Sequence, residues 1–457
     1  MAKYLQELLD IENSLNLTDY KVNGVSIWRL YRRYCRDKFL KKELSVIRYS
    51  KKKNYSVKII VGIRHIFFSM FDIIKLFISH KTFENVIFPY PRLQKINNKY
   101  LDKFTDPVIK ESLLSKNSCL CVFSFTKFFK KNRINKDLCY HVDLIYALSR
   151  MFMFFYSFFY PFTKGFKCVN SLFKQCSEIF SLNRKDLLRF HIIYMEFWLL
   201  MVMWTFLYKH INAKRLFIVV RNDFIPQIVA AHKLGIPVYE FQHGAVLGDT
   251  VLYTGNYDEI IDPDYMLTFG EIWRNSKFGI PINKIINIGW AYKSLIYKHM
   301  DNKIKKNYVL VISSPNITEK ILSTTIDLAV AYPKYNFDIR CHPKESYNLK
   351  QINKVDSIKN LNIVDNLQEI FIALNSYKYV LGENSSVLYE AISIGKVVGR
   401  INYNGIKIRK ISEADDEVFY YLKNIKDFEF FVNFFNPKIL RDTYYSDFKP
   451  SIINNLL

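Results

Sequence analysis

Residues 377–399 constrain the fold of this chain more than any other stretch. The sequence there, YKYVLGENSSVLYEAISIGKVVG, begins with a short apolar run that predicts a buried strand and continues into a turn. A helix opens at Ser385 and Ser386 and stops at Gly395, the residue type that best tolerates the left-handed conformation after a helix end. The apolar residues that follow begin a second strand. We therefore expect a β-turn-α-β unit, the building block of α/β folds.

The start of this predicted helix has the chemistry of an anion site. Free backbone N–H groups, the positive end of the helix dipole and two hydroxyls meet there. Glu390, five residues after Ser385, can reach back toward a ribose. The arrangement suits a nucleotide phosphate with its sugar. The alternative is that Ser385 or Ser386 is an ordinary N-cap and Glu390 a solvated helix residue, and the segment alone does not separate the two interpretations.

The net charge of +24 indicates an anionic partner. Nucleic acid, an anionic membrane and phosphorylated substrates all qualify. Because Lys and Arg are scattered among aromatic residues and Asn, with no zinc-finger or helix-turn-helix pattern, we expect a membrane surface or a phosphorylated substrate and no nucleic acid. Seven cysteines without a CxxC pair predict a reducing compartment, with neither a disulfide framework nor a zinc site.

Two long apolar stretches, 145–162 and 190–208, approach the length of a membrane span. Arg150 interrupts the first stretch, and His191 and Glu196 interrupt the second. Ionisable groups at the centre of a bilayer are costly. We therefore expect both stretches to form buried or surface-lying helices of the first domain rather than spans.

A stripe at residues 28–36 interleaves aromatic side chains with four arginines. Such a stripe could lie on an anionic membrane, or it could be an ordinary helix packed at the domain edge. The first residues of the chain also lack the apolar core of a signal peptide. These features predict a cytoplasmic protein held peripherally at the inner face of the cell membrane.

The length of 457 residues is too great for a single hydrophobic core. From residue 214 onward, short apolar runs alternate with helical patterns, and the charged segment 301–307 is the best candidate linker. We expect an N-terminal acceptor-binding Rossmann-like domain with membrane-associating helices at 1–302 and a C-terminal donor-binding domain at 303–430. A helical tail at 431–457 would pack back on the first domain.

Polar residues follow the predicted strands directly, at the edge where open α/β sheets bind ligands. The predicted strands are 216–220, 237–241, 265–269, 285–288, 308–312, 337–341 and 362–364, with a helix at 318–331. The candidate donor-binding residues behind these strands are Ser313, Ser314, His342, Pro343, Lys344, Glu383 and Asn384, together with Ser385, Ser386 and Glu390. In the first half, Asp223 and His243 occupy the equivalent positions.

Two doubly wound α/β halves whose polar strand ends face each other describe the GT-B architecture, with two Rossmann-like domains around a central cleft. RCHPKE at 340–345, GENSSVLYEAISIGKVV at 382–398 and YEFQHG at 239–244 resemble the bacterial capsule and lipopolysaccharide glycosyltransferases. These include the sialyl- and Kdo-transferases that use CMP-sugars. The donor half is also similar to the CDP-glycerol polymerases of teichoic acid synthesis. The resemblance covers roughly residues 215 to 400.

The resemblance implies roles for several of these residues. In those families a His-Pro motif and a paired-Ser motif bind the CMP part of the donor, which corresponds here to His342 with Pro343 and to Ser385 with Ser386. Glu390 resembles the ribose-contacting Glu of many GT-B enzymes. His342 can stabilise the departing CMP anion. No DxD-type motif appears where a metal would be needed to hold a diphosphate, so metal independence is expected, and no cofactor is implied.

The catalytic base stays open, because the acidic-acidic-Gly motif of the polysialyltransferases is missing. His243 and Asp223 are neighbours on the sheet edge if their strands pair in order. Either can deprotonate an acceptor hydroxyl, and His243 is favoured. In the alternative interpretation His243 is a turn residue that hydrogen-bonds within its own loop.

Three functions are compatible with these features. The first is an inverting glycosyltransferase that moves a CMP-activated, Kdo- or sialic-acid-like sugar onto a surface polysaccharide or a lipid-linked glycan. The second is a CDP-polyol phosphotransferase of teichoic-acid-like polymer synthesis. The third is a non-catalytic basic protein that binds membranes or nucleic acid. Saturable binding of CMP or CDP excludes the third function, and product analysis separates the first two.

Overall fold

The fold is known from a computed structural model of the 457-residue chain. The part that the structure describes comprises residues 2–44, 55–78, 82–96, 98–123, 133–245, 253–276, 278–297, 304–314, 317–342, 345, 349–364, 368–406, 408, 410, 414–437 and 444–457.

The N-terminal half contains a parallel sheet, a small antiparallel pair at its start and a group of long helices. Its elements are α1 (Ala2–Ser14), β1 (Lys21–Val22), β2 (Val25–Ser26), α2 (Trp28–Leu44), α3 (Tyr55–Ile78), β3 (Asn85–Phe88), β4 (Gln94–Ile96), β5 (Lys99–Leu101), α4 (Asp106–Glu111), β6 (Ser118–Val122), β7 (Cys139–His141), α5 (Asp143–Phe159), α6 (Lys164–Ser177), α7 (Arg184–His210), β8 (Arg215–Val219), α8 (Ile225–His232), β9 (Val238–Phe241), β10 (Tyr265–Thr268), β11 (Ile285–Asn287) and α9 (Tyr292–Tyr297).

The C-terminal half alternates strands and helices more regularly. Its elements are β12 (Lys305–Ile312), α10 (Thr318–Ala331), β13 (Asn336–Arg340), α11 (Leu349–Asp356), β14 (Leu361–Val364), α12 (Ile370–Asn375), β15 (Tyr377–Gly382), α13 (Ser386–Ser393), β16 (Val397–Ile401), α14 (Asp415–Val418), β17 (Phe419–Leu422), α15 (Asp427–Asn433) and α16 (Pro450–Leu456).

Each half is built on one parallel sheet. The first has seven strands in the order β11-β10-β9-β8-β3-β6-β7, and the second has six in the order β14-β13-β12-β15-β16-β17. Every neighbouring pair in both sheets is parallel. Strand residues such as those of β3, β6 and β9 are buried on both faces, as expected for sheets covered by helices on each side. The predicted α/β architecture of two Rossmann-like domains facing a cleft, the GT-B class, is confirmed.

The predicted secondary structure of the α/β region agrees with the structure to within a few residues. The predicted helix at 318–331 is α10, with the same bounds, and the expected β-turn-α-β unit at 377–399 is β15, α13 and β16. The charged segment proposed as the linker is shorter than expected, because β12 already begins at Lys305. Residues 301–303 lie outside the described part of the chain.

The end of the chain contacts the N-terminal half. The backbone N–H of Ser446 donates to the carbonyl of Phe269, and the carbonyl of Ser446 accepts from the backbone N–H of Trp290. The residues before α16 therefore lie at the carboxyl ends of β10 and β11. The guanidinium of Arg215 reaches the carbonyl of Leu456 at 2.8 Å. By contrast, α15 packs on the C-terminal sheet through Phe428 and Phe431.

The two long apolar stretches form helices that pack together. Residues 145–162 become α5 and a short 3-10 turn, and residues 190–208 lie within α7. Among the described residues, α7 alone is long and apolar enough to cross a membrane, with a mean hydropathy of 1.6 over its most apolar window. Phe190 and Trp204 of α7 are fully buried in the core.

The stripe at 28–36 does not face outward. Trp28 and Tyr31 are fully buried, and Tyr31 stacks on Phe190 with the ring centroids 4.1 Å apart. Two of its arginines are used inside the protein, Arg29 on Asp262 and Arg32 on Glu12. The membrane interpretation of this stripe is therefore wrong, and α2 is a packing helix of the N-terminal half.

Candidate functional site

A cavity of about 280 Å³ lies between the two halves, at the carboxyl ends of their parallel strands. Such a position is the usual ligand site of doubly wound sheets. The cavity is lined by residues of the β4–β5 hairpin and by the strand ends and helix starts of the C-terminal sheet. The lining residues are Gln94, Lys95, Lys103, Ile312, Ser313, Arg340, Cys341, His342, Gln368, Glu369, Ile370, Ser385, Ser386, Val387 and Glu390.

Glu390 projects from α13 into this cavity and is only 3% exposed. One carboxylate oxygen accepts from the ammonium group of Lys103, in the opposite half, at 2.8 Å. The other, Oε2, is buried and has no hydrogen-bond partner among the described residues. A buried carboxylate oxygen without a donor is costly, so this atom is suited to a ligand hydroxyl. The interpretation of Glu390 as a solvated helix residue is wrong.

The loop that carries Lys103 is held by a buried carboxylate. Asp102 accepts hydrogen bonds from the backbone N–H groups of Tyr90, Phe104 and Thr105 and from the Thr105 hydroxyl. Burial, followed by the charge of nearby Asp106, raises the pKa of Asp102 to about 6. Burial lowers the pKa of Lys103, but Glu390, Glu369 and Tyr90 together raise it, so the net shift is upward and the ammonium stays charged.

The two serines at the start of α13 have different positions. Ser385 is the N-cap, and its hydroxyl oxygen accepts from the backbone N–H of Val387 at 3.3 Å. Ser386 is the first helical residue, and both serines line the cavity. A Cβ atom placed on Gly244, in the opposite half, would lie 3.9 Å from the Cβ of Ser386. The loop after β9 thus approaches the helix start closely.

The loop after β13 is organised by Glu345. Its carboxylate accepts hydrogen bonds from the hydroxyls of Ser313 and Thr318 and from the backbone N–H of His342. This carboxylate therefore fixes the direction of the loop, and His342 lies half-buried against the cavity. The structure brings Ser313 to the cavity but leaves Ser314 outside its lining. Pro343 and Lys344 lie outside the described residues.

Glu383 and Asn384 stand behind the helix start instead of in the cavity lining. The amide of Asn384 donates to Glu383 at 2.8 Å, and the buried guanidinium of Arg400 donates to the Glu383 carbonyl and to the Asn384 side chain. Burial raises the pKa of Glu383. These contacts shape the turn before α13. Glu383 and Asn384, which were expected to contact the donor, therefore lie outside the cavity lining.

His243, directly behind β9, lies across the cleft from the helix start. Its Nδ1 is 2.7 Å from the hydroxyl of Tyr253, which is also 3.3 Å from the buried carboxylate of Glu240. Burial and then the carboxylate raise the pKa of Tyr253, which keeps its proton. When Tyr253 donates to Glu240, its oxygen accepts from Nδ1–H of His243. Nε2 then keeps a free lone pair.

Burial lowers the pKa of His243 to about 4, with further lowering by the charges of Lys103, Arg92 and Arg221. The imidazole is therefore neutral at pH 7 and able to accept a proton. The rings of Tyr90 and Phe104 lie beside it, with centroids at 5.8 and 6.5 Å. His243 hence occupies an aromatic pocket at the edge of the N-terminal sheet.

Glu240 is held in place by Arg221. The backbone N–H and the guanidinium of Arg221 both donate to the Glu240 carboxylate, at 2.9 and 2.6 Å. Val220, just before it, has φ +72°, a conformation that is strained for a β-branched residue. Strain of this kind persists where the surrounding structure imposes it, often beside functional sites.

Asp223 lies on the 3-10 turn behind β8, the strand that pairs in parallel with β9. The expected adjacency of the two strands is confirmed. The side chain is half exposed and 3.6 Å from the guanidinium of Arg33, which is equally exposed. Burial raises the pKa of Asp223, while Arg33 lowers it. The carboxylate is less enclosed than His243.

Several residues of the site were not singled out from the sequence. Lys103, Tyr253 and Glu345 act through contacts with residues far along the chain or in a neighbouring loop. Glu240 carried a signal, since it is a charged residue inside an otherwise apolar strand. Within the described part of the chain, no group of three or more His, Cys, Asp or Glu residues is placed to hold a metal ion.

No family model and no curated protein sequence matches the chain. Among solved structures, UDP-GlcNAc 2-epimerase from Methanocaldococcus jannaschii aligns with a TM-score of 0.47 and 14% identity, over 81% of this chain and 98% of that one. The Neisseria meningitidis UDP-GlcNAc 2-epimerase gives 0.47 and 13%, over 81% and 97%. TarM gives 0.32 and 13%, over 56% and 54%. Because these TM-scores and identities are low, the fold assignment rests on the two parallel sheets of the structure and not on the comparisons.

Proposed function

We propose that this chain is an inverting glycosyltransferase that moves a sugar from a nucleotide donor to a surface polysaccharide or lipid-linked glycan. The observation that carries the proposal is the buried Oε2 of Glu390, which lacks a partner within the described part of the chain, in a cavity that also contains a helix N-terminus. A carboxylate for ribose hydroxyls and free N–H groups for phosphate are the two features that a nucleotide requires.

The spacing of two residues on α13 supports one orientation of the donor in this proposal. Ser386 and Glu390 are four residues apart on α13, so they are separated by about 6 Å along the helix axis. The phosphate would lie at the helix start near Ser386 and His342, and the ribose would donate to Glu390. The resemblance to the CMP-sugar transferases favours cytidine and a Kdo- or sialic-acid-like sugar. A helix N-terminus by itself does not select a base.

His243 is the proposed general base. In the transfer, an acceptor hydroxyl oxygen attacks the anomeric carbon while the bond from that carbon to the CMP phosphate oxygen breaks. The hydroxyl proton passes to Nε2 of His243, and CMP leaves as an anion. Neutral His243, oriented by Tyr253 and Glu240, is ready to accept this proton. Lys103 and the start of α13 would stabilise the departing charge.

Calorimetric titration of CMP, CDP, UDP and GDP tests the donor assignment. We expect CMP or CDP to bind most tightly, and His342→Ala to weaken CMP binding by about 10-fold to 150-fold, the value of a charge-assisted hydrogen bond. Glu390→Gln should weaken the preference for ribose over deoxyribose. Glu429 is an exposed carboxylate on α15, and Glu429→Gln is the matched control, which should bind nucleotides like wild type.

Tighter binding of UDP than of both cytidine nucleotides contradicts the donor assignment, as does wild-type affinity in His342→Ala. Product analysis then tests the reaction type. A product that contains the sugar without the donor phosphate supports glycosyl transfer. A product that retains a phosphodiester from the donor identifies the alternative CDP-polyol phosphotransferase, in which the acceptor attacks phosphorus.

A further inference from the structure

Helix α5 presents a row of phenylalanines to solvent. We call Phe154, Phe155, Phe158, Phe159 and Phe162 the aromatic tip, and each is between 57% and 86% exposed. Soluble proteins rarely expose so many large apolar side chains side by side, and such patches mark interaction surfaces. The opposite face of the helix is packed, because Tyr160 is buried and its hydroxyl lies 2.9 Å from Nδ1 of His191 in α7.

The aromatic tip lies at the end of a pair of antiparallel helices. In α7, Trp204 packs on Phe88, the last residue of β3, with centroids 5.0 Å apart. The N-terminal part of α7 packs in the core of this half, where Phe190, Tyr194 and Phe197 are buried. Helix α5 runs antiparallel along this part of α7, with Arg150 beside Glu196 and Tyr160 beside His191. The tip therefore lies beside the first turns of α7.

Exposed cations flank the aromatic tip. Lys164, Lys167 and Lys174 are exposed and share one face of α6, which begins two residues after Phe162. Residues 144–177 contain no Asp or Glu, although the chain has 42 of them. An apolar aromatic surface bordered by lysines and free of acidic neighbours in sequence matches an anionic bilayer in both charge and polarity.

We propose that the aromatic tip inserts into the headgroup region of an anionic membrane, with the lysines of α6 on the lipid phosphates. This surface differs from the one expected from the sequence, the arginine stripe of α2, whose aromatic residues Trp28 and Tyr31 are buried. The proposal does not depend on the nucleotide or on the reaction.

Flotation of the full chain with vesicles tests the proposal. We expect binding to phosphatidylcholine vesicles that contain phosphatidylglycerol, weaker binding to phosphatidylcholine alone, and weakening by salt. Phe155→Ser with Phe159→Ser and Phe162→Ser should lower the partition coefficient at least about 10-fold. Lys164→Gln, Lys167→Gln and Lys174→Gln should each lower it about 5-fold on anionic vesicles.

Two matched controls distinguish the effect of the aromatic tip and the α6 lysines from the effect of removing apolar area or charge anywhere on the protein. Phe430→Ser with Phe434→Ser removes exposed phenylalanines at the end of α15 and directly after it. Lys354→Gln with Lys378→Gln removes exposed charges of the C-terminal half. Both should float like wild type. Equal flotation of the tip variant and wild type overturns the proposal, as does absence of wild-type flotation. A dimer in sedimentation that the tip variant abolishes would also overturn it, by identifying the tip as a contact between copies.

Discussion

At the scale of single residues, the environment of His243 decides what it can do. An imidazole surrounded by aromatic rings and near Lys103, Arg92 and Arg221 resists protonation, so its pKa falls from about 6.5 to about 4. In the unfolded chain the same residue binds a proton below about pH 6.5. Between these values the unfolded state holds more protons than the folded state, and stability must rise with pH there.

His243→Asn should therefore remove part of the acid sensitivity of the fold. Between pH 7.5 and pH 5 we expect wild type to lose about 2 kcal/mol more unfolding free energy than the variant. Urea denaturation of both proteins at the two pH values measures this double difference. An equal loss in both proteins would show that His243 is not held neutral.

The same variant tests the catalytic role. His243→Asn should lower the transfer rate by about 100-fold to 10,000-fold, the usual effect of removing a general base. Nucleotide affinity should stay near that of wild type, because His243 lies across the cleft from the helix start. Single-turnover transfer and calorimetric titration provide the two readouts. Near-normal turnover in His243→Asn would contradict this role and make Asp223 the next candidate for the general base. The Asp223→Asn variant would then test that assignment.

At the scale of secondary-structure elements, two adjacent serines at the start of helix α13 have different functions. Ser385 caps the helix, and Ser386 is the residue proposed to bind the ligand. The Ser385 hydroxyl satisfies a backbone N–H that would otherwise lack a partner at the helix start. Ser386 lies inside the first turn and lines the cavity. The alternative interpretation of an ordinary N-cap is correct for Ser385, because its hydroxyl accepts the capping hydrogen bond. A second role on a phosphate is still compatible with its position.

Substituting the two serines separately should change different properties, stability for Ser385 and CMP binding for Ser386. Ser385→Ala should lower the free energy of unfolding by about 1 kcal/mol, the usual value of an N-cap. Ser386→Ala should leave stability within about 0.5 kcal/mol of wild type and weaken CMP binding. Denaturation and titration of both variants check this. Unchanged CMP affinity in Ser386→Ala would remove this hydroxyl from the phosphate site.

At the scale of the whole molecule, the last residues of the chain connect the two halves. The Tyr444 hydroxyl donates to Asp415 of the C-terminal half at 2.7 Å, while its carbonyl accepts from the indole N–H of Trp273 in the N-terminal half. Nearby, Gly289 has φ +76°, and a Cβ atom there would lie 2.1 Å from the backbone oxygen of Asp447. Any side chain at this position must displace the tail.

Gly289→Ala should hence detach the tail, whereas Gly235→Ala serves as its control. Gly235 has a similar φ of +68° but nothing within 4 Å of a Cβ atom. The control should cost about 1 kcal/mol of backbone strain. Gly289→Ala should cost clearly more and should expose residues 444–457 to limited proteolysis. Equal stability losses and an equally resistant tail would contradict the role of this contact.

Much of the α/β framework was predictable because its signals are local. Alternating apolar runs, a glycine after a helix and a charged break are enough to place α10, the unit β15-α13-β16 and most strands of both sheets within a few residues. The position of His243 and His342 directly behind strands followed from the same pattern. Local signals worked less well in the first 80 residues, where apolar and basic residues alternate on α2 and its arginines pair with distant carboxylates.

Strand propensity and hydrophobic period act over a few residues, so the amino-acid sequence was enough to define the parallel sheets and the order of the polar loops at their edges. Which polar groups meet depends on tertiary packing. Lys103 reaches Glu390 across 287 positions, and Tyr253 supports His243 from a separate loop. Burial also came from packing, which enclosed Trp28 and left Phe162 exposed. Contacts and burial of this kind depend on how whole elements dock, and local sequence patterns do not encode them.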